Sequence, residues 1–394
     1  MGSNLFEPFD LPCGARLKNR ILKSAMSDSL GDGTGHPSDD QIRLYQRWAD
    51  GGVAASIIGE VQGSPHYAER PGNLVLTAPA DLGRFRALAL AGRAQGSQLW
   101  VQLGHAGALA YAPISTPRGP SALNVPGLRA AELTLEEIAS VPTSFAATAR
   151  LALDCGFGGV EIHAAHGFLL SQFLSPLFNQ RTDAYGGSIE KRAMLLLETI
   201  DAVRSAVGTG TPIAVKLNSS DMLEGGLSEE EALKVVALLE RTSIDVIDIS
   251  GGTYFPGAKA ASDAAGAGPY FRRFARQARA VTGKPLMLTG GIKTRAQADD
   301  AVSDGTADLI GLARALVLEP RLPTLWRDDM VPEPRFPRFA NATEGGVTAW
   351  YTMRLTQLGQ DRETADVGDL KTAIDAYDTR DRDRAAVWRA YFGH

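Results

Sequence analysis

Eight short apolar runs, spaced so that a helical segment fits between neighbours, organise the chain from residue 20 to residue 315. They are RILKSAM (20–26), VAASIIGEV (53–61), QLWVQLGH (98–105), GVEIHAAH (159–166), PIAVKLNSS (212–220), IDVIDISGG (244–252), PLMLTGGI (285–292) and ADLIGLARA (307–315). Most are β-branched, few carry much charge at their centres, and several end in glycine, as parallel strands buried on both faces do. Helix starts are legible between them. Thr134-x-x-Glu137 and Ser228-x-x-Glu231 read as capping boxes, and residues 188–208 carry apolar side chains at helical spacing. This alternation predicts an α/β fold, a (β/α)8 TIM barrel. A doubly wound open sheet alternates in the same way. No GxGxxG opens a helix after a strand, however, and GDGTG (31–35) reads as a turn before a helix capped by Ser38 or Asp39.

Two segments exceed a minimal barrel. Residues 105–133 are rich in Pro, Gly and Ser, follow the third strand and read as a lid insertion over the barrel mouth. Residues 331–394 follow the barrel (residues 1–330) and are polar, with Trp350, Tyr351, Trp388 and Tyr391 as anchors. They read as a C-terminal helical extension packed on the barrel or on a partner subunit, which leaves room for a homo-oligomer. A tail that reaches an active site is the less economical alternative.

Composition narrows the function classes. The 394 residues are 44% hydrophobic, enough for a sizeable core, and the net charge of −5 leaves no basic footprint for nucleic acid or an anionic membrane. No apolar run is long enough to span a bilayer, and the N-terminus lacks the pattern of a signal peptide. Two cysteines, Cys13 and Cys155, supply neither a disulfide framework nor the four thiolates of an iron–sulfur cluster, so a reducing cytoplasm is the expected setting.

Barrel active sites lie at the C-terminal ends of the strands. Strand seven ends in Gly290-Gly291 and strand eight runs into Gly311 and Arg314, the place and residue types of a barrel phosphate site. Lys216, inward on strand five, reads as a Schiff-base nucleophile or as a cation that stabilises an anionic ring. Gln102 and His105 on strand three offer hydrogen bonds to a heterocycle. FMN fits this set best. His163 and His166 at the end of strand four could join Glu161 in a metal site, but no other strand end offers a clear further ligand.

The stretches LKNRILKSAM, QLGHAG, GVEIHAAHGFLLSQFLSPLFNQRTDAYGGSIEKR, GGI and IGLAR together resemble the Old Yellow Enzyme family of FMN-dependent NAD(P)H oxidoreductases, in its short single-barrel form. The likeness spans roughly residues 4 to 330. It implies that Ser24, Ala25, Met26 and Ser27 lie along the flavin, that Val61 and Gln102 meet its pyrimidine side, and that Lys216 sits near N1 and O2. It further implies that Gly290, Gly291, Ala313 and Arg314 hold the phosphate, with NADH or NADPH as reductant. His163 and His166 would clamp the oxygen of a small electron-poor alkene stacked over the flavin, with Phe168 as a further substrate-binding residue. Three departures stand out. Lys216 replaces the usual Arg, Ala25 a usual Pro, and Phe168 the Tyr that usually protonates the substrate α-carbon. That last change leaves dehydrogenation, isomerisation or N-demethylation open beside ene reduction. A Schiff-base lyase using Lys216 is a more distant alternative.

Overall fold

The computed structural model describes residues 4–78, 80–258, 268–330, 333–339 and 345–393. The eight apolar runs form eight parallel strands: β1 Ile21–Lys23, β2 Ala55–Gln62, β3 Gln98–Gly104, β4 Gly159–Ala164, β5 Ile213–Asn218, β6 Val246–Ser250, β7 Leu286–Thr289 and β8 Leu309–Leu312. Each pairs with the next, β8 pairs back to β1 and β1 to β2, so the sheet closes into a barrel with its edges removed.

The helices begin where the caps predict. Ser38 caps α1 (Asp39–Asp50), and α2 (Leu82–Gly92) covers the next strand pair. Capping boxes open α3 (Leu135–Asp154) and, after α4 (Met194–Val207), also α5 (Glu229–Leu239). The ring continues with α6 (Arg272–Arg279), α7 (Arg295–Ser303) and α8 (Arg314–Leu318).

Strand periodicity sorts the barrel interior into layers. Toward the N-terminal end, Leu22, Ala55, Ile57, Trp100, Ala214, Val246, Met287 and Leu309 form one buried apolar cluster. A hairpin of Phe9–Asp10 and Arg16–Leu17 adds Leu11 and Leu17 to that cluster and seals this end. Two residues further along the strands the interior turns polar: Ser24, Gln102, Glu161, Lys216, Asp248 and Thr289 are all buried. A barrel stabilised at one end by apolar packing can thus hold a costly polar layer at the other.

The insertion after β3 forms a three-stranded sheet of Arg118–Gly119, Leu123–Val125 and Leu128–Glu132. Leu123, Leu128 and Ala130 share a cluster with Phe178 and Phe255, from the loops after β4 and β6. Arg181 ties this sheet down by donating to the Pro120 and Leu133 carbonyls and to Glu132, while Asp183 holds its other edge. Asn179 donates to the carbonyls of Phe173 and Tyr185, and Arg192 to those of Leu174 and Gly187. The family-like segment NQRTDAYGGSIEKR is therefore a loop brace.

The C-terminal extension folds as α9 (Gly346–Gly359) and α10 (Leu370–Phe392). Tyr351 of α9 lies over Arg314, with the guanidinium 5.7 Å from the ring centroid. Trp388 of α10 is fully buried among Ala68, Val75 and Ile114, and Arg384 donates to the Ser29 carbonyl. The extension thus lies along the barrel rim, against loops that follow β1 and β2. The extension is helical and packs on the barrel, while Trp350 packs within the extension against Val367, Ala373 and Ile374.

Candidate active site

The polar layer is one connected network. Gln102 Nε2 donates to Glu161 Oε1 at 2.7 Å, and the Lys216 ammonium lies 3.8 Å from the same oxygen. Lys216 is also in direct contact with Asp248, and donates to Ser24 Oγ at 3.2 Å. Thr289 Oγ1 donates to Asp248 Oδ1 at 2.6 Å and lies 3.3 Å from Ser24 Oγ. Burial opposes the Lys216 charge, but Asp248 and then Glu161 outweigh it and hold the ammonium above its usual range. Burial pushes Glu161 up to about 8, against the pull of Lys216. Its Oε2 has no hydrogen-bond partner among the described residues. A lysine held charged in this way is a poor Schiff-base nucleophile, which weighs against the lyase alternative.

The histidine pair lies beside this network, since His163 is directly paired with Lys216 across β4 and β5. The two imidazoles meet edge to face, 5.2 Å between centroids, and Phe168 packs 4.9 Å from His163. His166 has φ +62°, a left-handed conformation that turns the chain sharply after β4. Its backbone N–H donates to Asn218 Oδ1 and its Nε2 is 2.8 Å from Ser250 Oγ. Burial lowers both: His166 to about 3, and His163 well below the usual value with help from His166 and Lys216. Both are therefore neutral at pH 7, each with one N–H to give. Glu161, the carboxylate that could have joined them around a metal, is committed to Gln102 and Lys216. Among the described residues no group of three or more His, Cys, Asp or Glu converges on a metal-sized site.

Ala25, Met26 and Ser27 are half-buried after β1, where Met26 and Ser27 backbone atoms pass so close to Gly59 that a side chain there would collide. Val61 is buried at the end of β2, and His105, also lowered to about 3 by burial, stacks on Tyr67 at 4.0 Å. At β7, Gly290 and Gly291 have φ of +110° and +78°. A Cβ on Gly291 would overlap the Gly268 carbonyl oxygen and come within 2.7 Å of the Tyr270 ring. Ala313 and Arg314 open α8 without a side-chain cap. The residues of the sequence argument thus fall into two neighbouring groups on one barrel end. Asp248, Thr289, Ser250 and Tyr254 were not among them, although inward Asp248 and Ser250 share the two-residue period that singled out Lys216.

This geometry can be set beside known proteins. The family model described as NADH:flavin oxidoreductase / NADH oxidase matches residues 4–329. The chain belongs to this family. An NADH-dependent flavin oxidoreductase of Neonectria is 33% identical over 384 residues, and the alignment covers 88% of this chain but 50% of that protein. One from Hypocrea jecorina is 35% identical over 352 residues, covering 80% of this chain and 87% of the relative. The chain therefore spans half the length of the first and nearly all of the second. Morphinone reductase in complex with tetrahydroNAD superposes with a TM-score of 0.73 at 25% identity, covering 85% of this chain and 93% of its own. The Old Yellow Enzyme likeness read from the motifs holds, and with it FMN as cofactor and a nicotinamide as reductant.

The residues of this flavin oxidoreductase suit FMN. With Arg314 at the start of α8, the Gly290–Gly291 turn has the residue types of an anion cradle, and a Cβ on Gly291 would meet the Gly268 carbonyl oxygen and the Tyr270 ring. Gln102, whose Nε2 is used by Glu161, keeps its Oε1 as an acceptor for a ring N–H. Gly291→Ala is expected to weaken FMN retention at least about tenfold and to destabilise the protein by about 1 kcal/mol or more, through backbone strain and overlap. Flavin fluorescence released on dilution measures the first effect, and equal retention would remove the cradle from the account.

Proposed function

We propose that this chain reduces the C=C bond of a small electron-poor alkene, such as an enone, with FMN as cofactor and NADH or NADPH as reductant. The observation that carries the reading is the buried neutral His163–His166 pair at the C-terminal end of β4. Two fixed N–H donors in a low-dielectric site stabilise charge growing on a carbonyl or nitro oxygen, and one such donor is worth on the order of 10²–10³ in rate. When bound, FMN supplies the hydride chemistry, accepting two electrons from the nicotinamide and passing them to the substrate.

The protein's own groups divide the remaining work. Gly290, Gly291, Ala313 and Arg314 hold the phosphate. Ser24, Ala25, Met26, Ser27, Val61 and Gln102 would line the ring, and Lys216, paired with Asp248, would present a positive charge to it. Ser250 and Asn218 hold His166 in its left-handed turn, so its ring cannot swing away from the substrate oxygen. Phe168 forms an apolar wall.

That wall favours a second reading on the same site. With a phenyl ring where a hydroxyl donor is usual, the enzyme would desaturate, isomerise or demethylate its substrate. Anaerobic reduction by each nicotinamide, followed by mixing with enones, nitroalkenes and N-methyl amines, separates the two. Fast flavin reoxidation by an enone is expected. Reoxidation by none of the alkenes, with reduction by an amine, would overturn alkene reduction.

A further inference from the structure

We infer that Tyr254, on the loop after β6, is the group that protonates the substrate α-carbon in place of Phe168. The inference rests on the alkene-reduction reading above and adds to it the missing acid. Phe168 is buried, 2% exposed, and has no hydroxyl to give. The Tyr254 ring stands edge-on to it at 5.9 Å between centroids, and edge-on to His166 at 6.4 Å. It thus reaches the same wall of the site from a loop two strands away.

Its position is fixed by the backbone. Tyr254 N–H donates to the His166 carbonyl at 3.1 Å, and Thr253 is bridged to His166. Gly167 permits this approach, since a Cβ there would lie 2.5 Å from Thr253 Oγ1. Loop and clamp are therefore tied to each other through the backbone.

Four other tyrosines face partners other than Phe168. Tyr67 stacks on His105, Tyr111 faces Arg70, Tyr270 covers the Gly290–Gly291 turn and Tyr351 faces Arg314. Tyr254 is 60% exposed, so water can restore its proton after each turnover.

The step balances. A hydride from the nicotinamide-reduced cofactor forms the C–H bond at the β-carbon, and the alkene π pair moves to the α-carbon, with charge growing on the oxygen held by His163 and His166. In the same step the O–H bond of Tyr254 breaks, its proton forms the α C–H bond and the C=O is retained, so hydride loss is coupled to proton transfer. The tyrosinate takes a proton from water.

The test is Tyr254→Phe in the FMN-loaded enzyme, with each half-reaction followed by stopped-flow flavin absorbance. Loss of a positioned acid slows carbon protonation by on the order of 10²–10⁴. Reoxidation by cyclohex-2-enone should therefore slow about 100-fold or more, with a larger solvent deuterium isotope effect. Reoxidation by ferricyanide, which forms no C–H bond, and the Kd for a phenol should stay within about threefold. Adding Phe168→Tyr should restore most of the enone rate. Unchanged enone reoxidation in Tyr254→Phe would overturn the proposal alone, as would an equal loss with ferricyanide. A wild-type enzyme that no enone reoxidises would overturn the alkene reading and this inference with it.

Discussion

The His163→Ala/His166→Ala double variant should bind phenols at least about 100-fold more weakly while FMN stays bound. A phenolate presents the same oxygen charge as an enolate. Each hydrogen bond to a charged group contributes about 1.5–3 kcal/mol, so losing two is worth on the order of 10² to 10⁴ in affinity. FMN does not depend on the pair, because its phosphate is assigned to β7 and β8. Burial holds His166 at about 3 and His163 well below its usual range. With both imidazoles held below the usual range, wild-type phenol affinity should show no inflection near 6.5, where an ordinary imidazole titrates. Titration of the flavin absorbance with a phenol at several pH values measures both effects. Unchanged affinity in the double variant, or an inflection near 6.5 that the variant removes, would contradict a neutral clamp.

Lys216→Met should be the most destabilising change in the polar layer. It removes the cation shared by Asp248 and Glu161, all three side chains being at most 1% exposed. Breaking a buried ion pair by deleting one partner costs about 3–5 kcal/mol, chiefly through the charge left behind. Lys216→Arg keeps the charge and should cost much less. Lys216→Met combined with Asp248→Leu should recover much of the loss, because an apolar pair of similar volume removes the stranded carboxylate. Urea unfolding of the FMN-free protein at pH 7 gives these numbers. A loss under about 1 kcal/mol for Lys216→Met would mean that the ammonium is not the charge that holds this layer together.

The barrel was legible because eight buried strands and their capped helices leave two strong periodicities in the sequence, and Ser38, Thr134 and Ser228 cap the helices they were expected to cap. Lys216 was legible for a similar reason, as a charge on the inward side of a strand. The same reasoning applied to IDVIDISGG reaches Asp248 and Ser250, whose roles emerge only from the register that sets Asp248 beside Lys216. Tyr254 was not legible, since it lies in a loop and its meaning comes from a bridge to His166 that no local pattern encodes. The place of α10 was hidden too. Arg384 and Ser29 are 355 positions apart, and a polar amphipathic helix carries no mark of which rim it will meet.

The central claim is that this barrel end holds FMN and passes electrons from a nicotinamide. The most direct test titrates FMN-free protein with FMN, following quenching of flavin fluorescence, and then adds NADH or NADPH without oxygen. One FMN per chain with sub-micromolar affinity, bleached by at least one nicotinamide, is the predicted result. A protein that does not take up FMN, or takes it up and is bleached by neither nicotinamide, would contradict the account.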